Sequence, residues 1–132
     1  MRLILTALLF VQGLFFLLLG LNFLVMPASA VASFALAADG PAGLAVLRAD
    51  FPALFFVGGG AMVWGAWKRN GELLLVPAAI FGIAFIGRLV SAFVDGAEPG
   101  FWMPMTVEAI AVALSVLGSR LLPHSTVGAA VN

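Results

Sequence analysis

Residues 73–96 read LLLVPAAIFGIAFIGRLVSAFVDG. Leu73 to Val94 is a predominantly apolar run of about 22 residues, roughly 33 Å long as a helix, enough to cross a hydrocarbon core of about 30 Å. One charge interrupts it, Arg88. An arginine at that depth costs between about 2.5 and 17 kcal/mol depending on the reference state, so it is expected to turn inward and meet an opposite charge. The next apolar segment carries one, Glu108. Counted from Asp95, Arg88 lies about 10 Å inside its helix; counted from Met103, Glu108 lies about 7–8 Å inside the next, so the two share a depth. The connection 95–103 is short enough to make these helices antiparallel neighbours, and an Arg88–Glu108 ion pair is expected between them.

Working outward, the rest of the chain has the same character. Of 132 residues 64% are hydrophobic and 9% charged, with a mean hydropathy of +1.20. A soluble domain carries nearer 25% charge. The reading is an all-α membrane protein, a four-helix transmembrane bundle with spans at about 3–26, 47–67, 73–94 and 103–122 and no soluble domain. Six basic residues cancel six acidic ones, which leaves no field for nucleic acid. Cysteine is absent, so there is neither a disulfide framework nor a thiolate metal site, and the single histidine, His124, reads as a solvated terminal residue. No metal and no cofactor is expected.

The first apolar segment runs from Leu3 to Met26 and is stopped by Pro27. Ala28-Ser29-Ala30 resembles a signal-peptide cleavage site, but an apolar core of more than about 20 residues exceeds the roughly 7–15 of a signal sequence, so a retained helix is expected. Gly13 and Gly20 lie on one face, where another helix can approach closely; Gln12 and Asn22 are its strongly polar side chains. Ala28 to Ala38 is too short to span and reads as an interfacial helix or a lid over the bundle end. Asp39-Gly40-Pro41 reads as a turn.

The second span is counted back from Lys68-Arg69, which places Arg48 and Asp50 at its far boundary and Pro52 in its first turn, where a missing N–H costs nothing. Gly58-Gly59-Gly60 predicts close helix packing, or else a break where a ligand meets backbone. Trp64 and Trp67 suit one interface and Trp102 the other. In the last span Glu108, Ala111, Ser115 and Ser119 share one small, polar face.

Arg2, Lys68, Arg69 and Arg120 fall on one side of a four-span zigzag, and Asp39, Asp95 and Glu98 on the other, so both termini are expected in the cytoplasm. Asn22, Arg48, Asp50, Arg88, Ser91, Asp95 and Glu108 then gather at or just inside the opposite boundary as the candidate ligand-binding residues.

The pattern Arg48-Ala-Asp50, Gly58-Gly59-Gly60, Gly87-Arg88-x-x-Ser91, Asp95-Gly96 and Glu108 resembles the small bacterial four-helix membrane proteins catalogued as domain of unknown function 4345. The resemblance runs over most of the chain. It implies a four-helix fold in a bacterial inner membrane and a role for Arg48, Asp50, Arg88, Asp95 and Glu108, and it implies no activity.

Three functions fit these residues. The charges could pin helices in register. They could bind a lipid or small amphiphile, an arginine holding its anionic headgroup, in a protein that serves as an accessory subunit, a homo-oligomer or part of a larger membrane complex. Or Glu108 or Asp50 could act as acid or base on a lipid or isoprenoid, with Arg88 stabilising developing charge; no nucleophile beside a base accompanies them. The binding reading is preferred, with membrane lipids as the expected partners. Proton-coupled transport suits four short helices poorly.

Overall fold

A computed structural model describes residues 1–124. The described residues form five helices: α1 (Arg2–Val25), α2 (Pro27–Ala32), α3 (Gly40–Lys68), α4 (Leu75–Val94) and α5 (Trp102–Leu121). Four of them are long and apolar enough to cross a membrane. They run alternately up and down through short connections, so the chain is a multi-pass membrane protein of all-helical fold. The tail beyond His124 lies outside the described residues, and His124 itself is exposed.

The bundle is two helical pairs, α1 with α3 and α4 with α5, joined mainly through α3 against α4 and α1 against α5. Lipid tails are as apolar as leucine, so there is little hydrophobic force to press helices together and contact must come from shape. Glycine supplies it where α1 crosses α3. A methyl group on Gly59 would fall 2.8 Å from the Gly13 carbonyl oxygen, and one on Gly13 would fall 2.8 Å from the carbonyl of Gly59. The two backbones therefore touch. Gly58 receives the Phe81 ring from α4, whereas Gly60 faces open space. Of the two readings of the triple glycine, close packing holds, and α3 runs through it without a break.

Around that crossing, phenylalanines form a column. Phe16 stacks on Phe81 with ring centroids 4.1 Å apart and on Phe55 at 5.9 Å; Phe23 stacks on Phe51 at 4.7 Å. Offset ring pairs of this kind add about 0.5–1.5 kcal/mol beyond burial. The column continues into Phe34, which follows α2 and packs on Phe23 and Phe55. Pro27, Ala30 and Val31 of α2 are buried, so this segment is a lid on the bundle end rather than a helix lying in the interface. We call this the lid end. The other end carries Lys68, Arg69 and Arg120, and is called the basic end.

One sequence expectation is corrected. α3 begins at Gly40, entered through Asp39 as its N-cap with Gly40 at φ +62°, so Pro52 lies deep inside a 29-residue helix and not in its first turn. Its missing N–H leaves the Arg48 carbonyl without its helical donor. Ala42 to Leu47 are small and apolar enough to extend the helix past that point. Arg48 and Asp50 are consequently on the body of α3, and both are exposed.

Candidate functional site

α4 and α5 lie side by side, and between them Arg88 Nε donates to Glu108 Oε1 at 2.8 Å. It is the one ion pair among the described residues. The partners are unequal. The Glu108 side chain is 10% exposed, while that of Arg88 is 40% exposed. The pair therefore shows its guanidinium outward and hides its carboxylate. Only Nε of the five-donor fork is committed to Glu108, and the other nitrogens make no hydrogen bond among the described residues.

The Glu108 side is built by the small face of α5. Glu108, Ala111, Ser115, Gly118 and Ser119 are all buried, as the sequence spacing predicts, and Ser119 Oγ donates back to the Val116 carbonyl at 2.8 Å. From α1, Gln12 Nε2 donates to the Val107 carbonyl, 3.1 Å away. This residue was missed as a site member. Its signal was present, a lone amide in mid-span, but depth along one helix does not tell which neighbour a side chain meets.

The other candidates are placed separately. Ser91 Oγ donates to Asp95 Oδ2 at 2.6 Å, a bond within α4 that closes its last turn. Arg48 Nε donates to the Leu24 carbonyl at 3.1 Å, capping the C-terminal turn of α1. Cations are favoured at that helix end by about 0.3–1 kcal/mol. Asn22 is partly buried and Asp50 exposed, and neither side chain makes a hydrogen bond or ion pair among the described residues. All seven residues are at or toward the lid end. Of the seven, only Arg88 and Glu108 are joined to each other across helices, and among the described residues no hydrogen bond links Asn22, Arg48 or Asp50 to Arg88, Ser91, Asp95 or Glu108.

On the outer face of the α4–α5 hairpin runs an apolar groove of about 460 Å³, lined by Phe85, Trp102, Met105, Ala109, Ile110 and Ala113 among others. Phe85 precedes Arg88 by three residues and Met105 precedes Glu108 by three, but neither member of the ion pair lines the groove. No group of three or more metal-ligating side chains occurs among the described residues.

Comparison with family models matches residues 4–119 to a domain of unknown function, DUF4345. No curated protein and no solved structure matches the chain.

Proposed function

The chain belongs to the DUF4345 family, and from its own geometry we propose that it binds an anionic amphiphile. The observation that carries this reading is the half-open guanidinium of Arg88, fixed at Nε by Glu108 within a membrane span and with 40% of its side chain exposed. An arginine so placed is costly unless its remaining donors meet an anion. A phosphate or carboxylate headgroup accepts from the free edge of the fork, and the apolar groove on the same hairpin offers the tail a bed. Asn22, Arg48, Asp50, Ser91 and Asp95 form the polar rim at the lid end, through which the headgroup reaches Arg88. Glu108 holds the guanidinium in place and does not itself touch the ligand.

The test neutralises the pair without unpairing it. Arg88→Gln combined with Glu108→Gln keeps two side chains able to hydrogen-bond and removes both charges. In native mass spectrometry from micelles containing equal phosphatidylglycerol and phosphatidylcholine, the wild type should retain the anionic lipid preferentially. The double variant should lose about tenfold in that retention, the scale of one charge-assisted contact at about 1.5–3 kcal/mol, with Tm little changed. Equal retention by the two proteins would remove Arg88 as the anchor.

The orientation proposed is termini inside. Lys68, Arg69 and Arg120 share the basic end with Arg2, and such residues favour the cytoplasmic side. Reporter fusions after Gly71 and at the C-terminus should both read cytoplasmic, and a periplasmic reading at either would reverse the assignment.

A further inference from the structure

Three buried polar atoms have no hydrogen-bond partner among the described residues: Gln12 Oε1, Glu108 Oε2 and Ser115 Oγ. All belong to α1 and α5, which pack against each other, and the amphiphile reading uses none of them. A buried group left unpaired forfeits its hydration without return, so three of them would take up a large part of a protein's marginal stability. Their chemistry defines what is needed. Gln12 has turned its nitrogen to the Val107 carbonyl, which leaves its oxygen as an acceptor. Glu108 has given Oε1 to Arg88, which leaves Oε2 as an acceptor. Two acceptors cannot satisfy each other.

The missing partner must therefore bring donors, and it must be neutral, because the Glu108 charge is already matched by Arg88 at 2.8 Å. It must also be small and repeated. Glu108 and Ser115 lie seven residues apart on α5, about 10 Å at helical rise, too far for one small molecule to bridge. Between them on the same face stands Ala111, fully buried, with only a methyl group to fill the space. We propose that the seam between α1 and α5 holds a file of bound water molecules that ends on the Glu108 carboxylate. Water has two donors for the two carbonyl-type oxygens and two lone pairs, one of which accepts the Ser115 hydroxyl. Buried waters in proteins make about three such bonds and bridge groups of this kind. The file runs from Glu108 toward the basic end, where Ser119 continues the face. It keeps the carboxylate in contact with water on the side away from Arg88.

Proton-detected solid-state NMR on the full chain in lipid bilayers tests this directly. Magnetisation transfer from water to the Gln12 side-chain amide should be as efficient as transfer to the exposed backbone amides of Gly96, Ala97, Glu98 and Gly100. A Gln12 amide that receives none would overturn the proposal, and this measurement needs no variant. Ser115→Ala supplies a second readout whose sign is decisive. On a dry orphan hydroxyl the substitution relieves an unpaired group and leaves Tm unchanged or raised, which would overturn the proposal. On a hydroxyl that anchors the file it lowers Tm and weakens transfer to Gln12.

Discussion

Replacing Arg88 with leucine is expected to destabilise the folded protein by about 3–5 kcal/mol, and replacing Glu108 with leucine in the same chain to restore most of the loss. The single change strands a carboxylate whose side chain is 10% exposed. Its charge loses the cation that matched it, and the Gln12 amide, already given to Val107, does not replace it. Glu108→Leu alone should be milder. It strands an arginine that is 40% exposed and sits six residues before the end of α4, and a long side chain so near an interface can extend its head toward water. The ordering is thus Arg88→Leu worst, Glu108→Leu intermediate and the double variant closest to wild type, measured as thermal unfolding in micelles. Losses that simply add would mean that the two residues are not coupled.

The second large effect is a contrast between adjacent glycines. Gly59→Val should cost about 3 kcal/mol, near the upper end of overpacking penalties, while Gly60→Ala should be neutral or stabilise by about 0.5–1 kcal/mol. At Gly59 even a methyl group meets the Gly13 carbonyl at 2.8 Å, the Phe16 Cβ at 2.9 Å and the Leu17 nitrogen at 3.1 Å. Two of these three are backbone atoms, which cannot rotate away, so α1 and α3 must separate. Nothing lies within 4 Å of a Cβ at Gly60, and alanine there only removes the entropic penalty of glycine in a helix. Equal effects at the two positions, read by the same unfolding assay, would mean that α1 does not cross α3 at this point.

What could be read from the sequence follows from what a membrane makes visible. Hydropathy gives three of the four spans, α1, α4 and α5, to within a few residues, and the cost of a lone Arg88 points to Glu108. Glycines at 13 and 59 marked surfaces of close approach without naming each other as partners. Two features stayed hidden for physical reasons. A count of about 20 residues back from Lys68-Arg69 starts α3 late because bilayer thickness sets the length of a span and not of the helix that contains it, and nothing in the local sequence shows that a 29-residue helix carries Pro52 within it. The bond from Arg48 to the Leu24 carbonyl stays hidden because it depends on where α1 ends relative to α3. Contacts along one helix are periodic and legible; contacts between helices depend on rotation and tilt, which residue spacing leaves open.

The ion pair also sets an order of events during synthesis. Arg88 and Glu108 are separated by 20 residues, so at about 5–20 residues per second the arginine waits about 1–4 s for its carboxylate to be made. Throughout that interval α4 has no internal counter-charge. If α4 entered the bilayer alone it would do so carrying an uncompensated cation, whereas a hairpin entering as a unit brings the two charges in together. The yield of Glu108→Leu protein in cells consequently reports on delivery into the membrane as well as on the finished fold. A deficit in cells larger than the loss measured in micelles would be the part that belongs to the ribosome and the translocation machinery.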